Sequence, residues 1–233
     1  GKKALAHVPF ELGAMGAERP LLLTTKVLVK QKAVSRVING LRDSGVPVGI
    51  YDDVGEHAHM KTVLRLTELF KDGGFDALMA LGSGSVMHTA KILNLAVTEN
   101  TLDLVPFTVK GVQPMGRLKP YIAIPACSGD GYETTGGAFM DDLTFSSPVL
   151  MPDIVVVDPE VFIPEDPQKA VSGAMSALTH AVEGFVGPGK NPFVDAYSYT
   201  SIQMLVHHLG EALVGGRRWK TARAAVAAAE TMA

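Results

Sequence analysis

The chain has a single cysteine, a single tryptophan and no strong excess of either charge among its 233 residues. One thiol, Cys127, excludes an internal disulfide and with it the class of small disulfide-rich secreted domains. The 21 basic and 24 acidic residues give a formal net charge of −3, without the basic cluster that marks a nucleic-acid binder. Neither a long uncharged apolar run nor a signal segment is evident. We therefore expect a soluble, cytoplasmic protein with a small-molecule partner and no nucleic acid or membrane partner.

Apolar residues are plentiful, at 47% of the chain against 19% charged residues, so a sizeable core is expected. Short apolar stretches, which predict strands, alternate with segments whose apolar residues recur at helical spacing. The predicted strands cover residues 21–24, 46–51, 75–81, 121–124 and 154–157, and residues 138–150 resemble a small hairpin. This alternation favours an α/β fold with a parallel, Rossmann-like sheet covered by helices on both faces.

The pattern changes at a proline cluster formed by Pro159, Pro164 and Pro167. Residues 168–186, 192–213 and 221–233 then show helical spacing alone. The sequence thus predicts an α/β domain over residues 1–163 and an all-helical domain over residues 164–233. The last helix is rich in alanine, and we expect its apolar face to be uncovered, the helical domain to be incomplete and the chain to associate into a homo-oligomer.

A glycine-rich turn, in the stretch "ALGSGSVMHTAK", joins the predicted strand 75–81 to the next helix. Gly82 and Gly84 permit close approach of the backbone, and Ser83 and Ser85 offer hydroxyl groups. The free N–H groups at such a helix start attract anions, and the carboxyl end of a parallel strand is where open α/β sheets bind ligands. The alternative is a tight turn with Ser85 as the N-cap and no ligand. The third glycine of the dinucleotide fingerprint is missing, so these residues alone leave both interpretations open.

Two further motifs follow. In "IAIPACSGDGYET", Ser128, Gly129 and Gly131 come directly after the predicted strand 121–124, so a second glycine-rich loop is expected beside the first. In "GAMSALTHAVEGF", Ser176 and His180 are four residues apart and therefore share one face of a helix.

These motifs, taken in order, resemble those of the iron-containing alcohol dehydrogenases, a family of NAD(P)-dependent, metal-using oxidoreductases. The likeness covers almost the whole chain and includes "LLLTTKVLVK", "PDIVVVDPEVF" and "NPFVDAYSYTSIQML". It implies a nucleotide-binding α/β domain and a metal-bearing helical domain, with hydride transfer between an alcohol or aldehyde and NAD or NADP in the cleft between them. The dehydroquinate synthase and glycerol-phosphate dehydrogenase group, which shares this layout, is an alternative.

The resemblance also implies roles for individual residues. The turn residues match the segment that cradles the cofactor pyrophosphate, Lys91 matches the motif lysine, and Gly129 matches the glycine of the second cofactor loop. The cofactor-binding positions that follow are Gly82, Ser83, Gly84, Ser85, Lys91 and Gly129. His180 matches a histidine ligand of the metal.

Four positions in the cofactor cleft depart from the family pattern. Thr25 stands where many members have an aspartate that holds the adenosine ribose, which leaves the choice between NAD and NADP open. His88 replaces the motif aspartate after the first turn. Cys127 and Asp130 replace threonines in the second loop, where a carboxylate at position 130 would face the pyrophosphate.

A fifth departure concerns the metal. Ser176 stands at the position of an aspartate ligand, and the family's two remaining ligand histidines belong downstream of the last residue. A neutral hydroxyl is a poor ligand for a divalent ion, so iron or zinc is expected to bind weakly or not at all. Two hypotheses remain: an NAD(P)-dependent oxidoreductase, and a catalytically degenerate paralogue that acts as a nucleotide-binding or assembly module.

Overall fold

The computed structural model describes residues 1–42, 44–109, 111–114, 116–126, 131–163, 166–189, 191–214, 216 and 218–233. Within these residues the strands are β1 Pro20–Leu23, β2 Gly49–Tyr51, β3 Ala77–Gly82, β4 Tyr121–Pro125, β5 Gly137–Met140, β6 Leu143–Ser146 and β7 Ile154–Val155. The helices are α1 Val8–Ala14, α2 Lys26–Lys30, α3 Ala33–Arg42, α4 Met60–Asp72, α5 Gly84–Thr98, α6 Pro167–Val186, α7 Pro192–Val214 and α8 Trp219–Met232. This order confirms the predicted fold class, an α/β part followed by a helical part.

Five of the described strands form a parallel sheet in the order β2-β1-β3-β4-β7. Leu22 pairs with Met79, Met79 with Ile122, and Ile122 with Ile154, so one register runs across four strands. Nearly every residue of β1, β3 and β4 is buried because helices cover both faces of the sheet.

Alternate residues of the strands feed two separate cores, one on each face of the sheet. Leu22, Met79 and Ile122 pack with the apolar faces of α1 and α3. On the other face, Leu21, Leu78 and two residues of β4, Tyr121 and Ala123, pack with α4 and α5. This two-residue period fixes the register, since a slip by one position would exchange the two cores.

The edge strands are shorter than predicted. Only Gly49–Tyr51 of the predicted strand 46–51 pairs, and its partners are Leu21 to Leu23 of β1. Residues 154–157 contain a two-residue strand, after which the chain turns away at Asp158. The buried carboxylate of Asp158 accepts hydrogen bonds from the backbone N–H groups of Leu5 and Glu160 and so holds that turn.

The hairpin predicted over residues 138–150 is confirmed as the antiparallel pair β5–β6. Asp141 at its turn has a φ of 49°. Ala138 and Phe145 of the hairpin pack on Ile92 and Leu95 of α5. The hairpin therefore lies against the helix that begins at the glycine-rich turn.

The expectation that the last helix is uncovered is wrong. Ala222, Val226 and Ala229 of α8 pack with α6 and α7, while Ala227 packs into the core of the α/β part. Large apolar side chains that remain exposed on α6 and α7 include Val186, Phe193, Val206 and Val214. The domain boundary predicted between residues 163 and 164 falls beside two residues outside the described part and stays a prediction.

None of the helices in the described residues combines the length and the apolar character needed to cross a membrane.

Candidate active site

The sheet order places a crevice at the carboxyl ends of β1 and β3. The chain leaves β1 toward β2 on one side and later returns to β3 on the other, so successive connections diverge at this point. Open α/β sheets of this order bind ligands at such a switch point. The Thr24 hydroxyl donates to the Leu81 carbonyl over 2.9 Å, and the Ala126 N–H donates to the Gly82 carbonyl over 3.1 Å. These bonds tie together the ends of β1, β3 and β4.

The glycine-rich turn lies at this crevice, as the sequence predicts. A Cβ added to Gly82 would lie 2.5 Å from Val86 Cγ2, so the close strand-to-helix connection requires glycine there. Ser83 is the N-cap of α5 but its side chain makes no capping hydrogen bond. Because none of the described side chains caps this helix start, its N–H groups and dipole suit an anion such as a diphosphate.

Two cavities meet at this turn. The first cavity, of about 660 Å³, is lined by Thr25, Lys26, Asp53 and the turn residues Ser83 and Ser85. The second cavity, of about 590 Å³, is lined by Ser83, Ser85, His88, Phe139 and Ser172. Together they have room for a large, elongated ligand whose middle rests on the turn.

The first cavity carries charged, exposed side chains. Thr25 is the N-cap of α2, where its side chain accepts a hydrogen bond from the Leu28 N–H over 3.4 Å, and its backbone forms a bridge with Asp53. Asp53 lies 2.5 Å from the Lys26 ammonium. The hydrogen bond from Lys26 lowers the pKa of Asp53, and the same bond raises the pKa of Lys26.

His88 is enclosed by aromatic rings beside the second cavity. Its ring meets those of Tyr132 and Phe139 edge-to-face at centroid distances of 4.4 and 5.4 Å. Its Nδ1 is buried and has no hydrogen-bond partner among the described residues. Burial, together with the Lys91 charge, lowers the pKa of His88 to about 4. The imidazole is therefore neutral at pH 7, where the family motif has a carboxylate.

Lys91 lies farther along α5 and is fully buried. Its ammonium donates to the carbonyls of Tyr132 and Thr135, each over 2.6 Å, and of Gly137 over 2.9 Å. All three N–H donors are thus used by backbone oxygens. The predicted contact between Lys91 and the cofactor stays a prediction.

The described end of the second loop, from Gly131 onward, rests against the end of α8. Gly131 has a φ of 78°, and a Cβ there would lie 2.9 Å from the Glu230 carbonyl oxygen, so glycine is required on both counts. Thr231 of α8 donates its hydroxyl hydrogen bond to Glu133 over 2.9 Å. The predicted site residues Cys127, Gly129 and Asp130 lie outside the described residues.

Comparison with known proteins identifies the family. Residues 1–159 match the family described as iron-containing alcohol dehydrogenase, and residues 170–233 match the C-terminal region of the Fe-containing alcohol dehydrogenase family. The chain belongs to the iron-containing alcohol dehydrogenase family.

Individual relatives agree with this assignment. The chain is 30% identical over 223 residues to long-chain-alcohol dehydrogenase 1 of Geobacillus thermodenitrificans, which covers 93% of the chain and 56% of that protein. It is 29% identical over 240 residues to the NAD-dependent methanol dehydrogenase of Bacillus methanolicus, covering all of the chain and 62% of the relative. A crystal structure of a 1,3-propanediol oxidoreductase superposes with a TM-score of 0.91 at 26% identity, covering the whole chain and 62% of that protein. The chain therefore spans about three fifths of the length of these relatives.

The family name implies iron, so the donor atoms of the helical part matter. Ser176 and His180 lie one turn apart on α6, and both are half-buried. Within the described ranges, no three His, Cys, Asp or Glu side chains come close enough together to hold a metal ion. One imidazole and one neutral hydroxyl do not by themselves fit an iron site of this alcohol dehydrogenase family. The role of His180 as a ligand stays a prediction.

Sequence patterns located the turn but missed several residues around it. The sequence motifs did not include Lys26, Asp53, Tyr132 or Phe139. The two adjacent aspartates in "YDDVGE", directly after a predicted strand, were a signal at the same sheet edge. An ion pair between Glu56 and Lys169, with 3.0 Å between its atoms, was also missed. Both of its residues line both cavities, and their separation by more than a hundred positions leaves no local sequence signal.

Proposed function

We propose that this chain carries the nucleotide-binding part of an NAD(P)-dependent alcohol dehydrogenase, which transfers hydride between an alcohol or aldehyde and a nicotinamide cofactor. The observation that carries the proposal is the start of α5, which no described side chain caps and which lies between two cavities at the switch point of the sheet. The relatives named above are dehydrogenases of alcohols, which supports the same reaction class.

Each part of the cleft has a role in this proposal. The backbone at Ser83, Gly84 and Ser85 binds the diphosphate at the helix start. The first cavity, with Thr25 and Asp53, takes the adenosine half of the nucleotide. The second cavity, beside His88, takes the nicotinamide half.

The bound nicotinamide supplies the hydride acceptor for alcohol oxidation. The alcohol loses a hydride from carbon to the nicotinamide ring and a proton from oxygen to solvent, and becomes an aldehyde. The neutral, aromatic wall of His88, Tyr132 and Phe139 shields that end of the cleft from water. Since Ser176 and His180 do not make an iron site by themselves, we assign no step to a metal.

A negative charge introduced at the turn tests the proposal. In Ser85→Asp, a carboxylate placed at the start of α5 repels the diphosphate, and we expect binding of NADH and NADPH to weaken by about tenfold or more. Ser35→Asp on the exposed face of α3 is the matched control and should bind as the wild type does. Titration of nicotinamide fluorescence measures both affinities. Failure of the wild type to bind either nucleotide overturns the proposal.

Activity separates the oxidoreductase from the nucleotide-binding module. Wild-type protein is assayed with NAD or NADP and short primary alcohols, with and without added ferrous or zinc ions. Alcohol-dependent formation of reduced nucleotide supports the dehydrogenase. Nucleotide binding without any such turnover favours the degenerate paralogue.

Self-association belongs to the same proposal. Val186, Phe193, Val206 and Val214 are each more than two thirds exposed, which favours burial against another surface. Sedimentation velocity of the wild type and of Phe193→Ser checks this, and a monomeric wild type would contradict it.

A further inference from the structure

A fully buried lysine connects the two cofactor loops. Lys91 extends from α5, the helix that begins at the glycine-rich turn, and has no exposed surface. Its three hydrogen bonds, of 2.6, 2.6 and 2.9 Å, end on the carbonyls of Tyr132, Thr135 and Gly137. Those residues belong to the segment between the second loop and β5. One side chain therefore joins the helix of the first loop to the backbone of the second.

The geometry argues against direct contact between this lysine and a diphosphate. An α-helix rises about 1.5 Å per residue, which places Lys91 roughly 10 Å along the axis from Gly84. An ammonium group has three donors, and here backbone oxygens accept all three. Any effect of Lys91 on nucleotide binding must therefore pass through the loop that it holds.

We propose that Lys91 is a positioning residue whose ammonium holds the segment from Tyr132 to Gly137 against α5, so that nucleotide affinity depends on a side chain that does not touch the nucleotide. This inference rests on the nucleotide-binding function proposed above.

Tyr132 transmits the effect to the cleft. Its carbonyl accepts from Lys91, and its ring packs on both His88 and Phe139, with a centroid distance of 5.7 Å to the latter. His88 and Phe139 line the second cavity. If the three carbonyls lose their common donor, the backbone of Tyr132 loses its bond to α5 and the wall of the second cavity shifts.

The charge of Lys91 gives this arrangement a pH dependence. Burial lowers the pKa of Lys91 to about 8, opposed by the negative charge of Glu133. Above that pH the neutral amine has only two N–H donors for three carbonyls, so its hold on the segment from Tyr132 to Gly137 weakens. Nucleotide affinity should therefore fall as the pH rises through 8.

Other charged groups surround the lysine. Glu133 interacts with its charge from the loop, His88 lies one turn earlier on α5, and Tyr121 of β4 lines a cavity that Lys91 also borders. Arg117, Lys119 and Asp153 surround a cavity of about 460 Å³ that Lys91 also borders. Burial holds the pKa of His88 near 4 and raises that of Tyr121, so neither of these two changes charge between pH 7 and 9.

The first experiment compares Lys91→Met with Lys71→Met. Methionine matches the length of lysine without its donors, and Lys71 is an exposed lysine of α4. Without nucleotide, we expect residues 131–137 of Lys91→Met to exchange amide hydrogen about tenfold faster or more than in wild type at pH 7. At pH 9 the difference should shrink, because Lys91 is then neutral in the wild type. Lys71→Met should exchange as the wild type does at both pH values.

The second experiment uses Glu133→Gln, which keeps the size of the side chain. Glutamine removes the charge that raises the pKa of Lys91, so the alkaline fall in NADH and NADPH affinity should begin at lower pH than in wild type. In Lys91→Met, affinity should be about tenfold weaker at pH 7 and should show no fall near pH 8. This pH profile separates positioning from a general loss of folding.

The outcomes distinguish this inference from the proposed function. Unchanged exchange at residues 131–137 in Lys91→Met, or an alkaline limb that Glu133→Gln does not move, overturns the role of Lys91. Absence of nucleotide binding in the wild type overturns the proposed function, while the exchange experiment still decides whether Lys91 holds the loop.

Discussion

The two cavities beside the glycine-rich turn differ in how their polar groups are solvated. In the first cavity, Lys26 and Asp53 form an ion pair whose side chains are 64% and 50% exposed. In the second, His88 is enclosed by aromatic rings, and its buried Nδ1 has no hydrogen-bond partner in the part of the chain that the structure describes. Water screens the charges of Lys26 and Asp53 in the first cavity. The buried imidazole of His88 in the second cavity lacks that solvation. Substitutions in the second cavity should therefore have the larger effects.

The strongest test of this difference is the response of folding to acid. The unfolded chain has a histidine pKa near 6.5 and the folded chain holds that of His88 near 4, so the unfolded state binds a proton first as the pH falls. The stability contributed by neutral His88 is full above pH 6.5 and is lost as the pH falls toward 4. The loss amounts to about 3 kcal/mol in the free energy of unfolding.

His88→Phe keeps the aromatic contacts and removes the titration, so its free energy of unfolding should depend less on pH between 6.5 and 4. Urea unfolding at several pH values measures this. His207→Asn, on an exposed part of α7, is the control and should keep the wild-type slope. Parallel profiles for wild type and His88→Phe would show that the second cavity is better solvated than its packing indicates.

The first cavity is tested by adding charge where solvent reaches. Thr25→Asp keeps a good N-cap for α2 and places a carboxylate in that cavity. The carboxylate repels the additional phosphate of NADP, and we expect the affinity for NADP relative to NAD to fall by about tenfold. Thr25→Asn has the same shape without the charge and should leave the ratio near that of wild type. An equal ratio in all three proteins would place the adenosine half elsewhere.

The sequence predicted the parts of this cleft whose causes are local. Gly82 and its neighbours follow a buried strand and open a helix, and both signals lie within a dozen residues. The fold class was predicted from the spacing of the apolar residues, which recur at helical intervals in some segments and form short strand-like runs in others. Thr25, at the end of β1, was found through the family resemblance.

Contacts between distant segments could not be predicted in the same way. Lys91 resembles a ligand-binding lysine in its motif, yet its three acceptors are backbone carbonyls more than forty positions away. The burial of α8 depends on its packing with α6, α7 and the α/β core, and not on the helix itself. Such features follow from tertiary packing, which a periodic pattern does not specify.

The smallest effects are expected at the ion pair between the two cavities. Glu56 and Lys169 have side chains that are 82% and 70% exposed, so solvent weakens their attraction. The hydrogen bond from Lys169 lowers the pKa of Glu56.

Glu56→Gln removes the carboxylate that competes with a diphosphate for Lys169 and should strengthen nucleotide binding by up to about threefold. Lys169→Met should weaken it by a similar factor. Both changes should disappear at high salt, since the Debye length is about 3 Å at 1 M. Titrations of NADH at low and high ionic strength measure this, and a salt-independent effect of either variant would mean that the pair is shielded from water, like the groups of the second cavity.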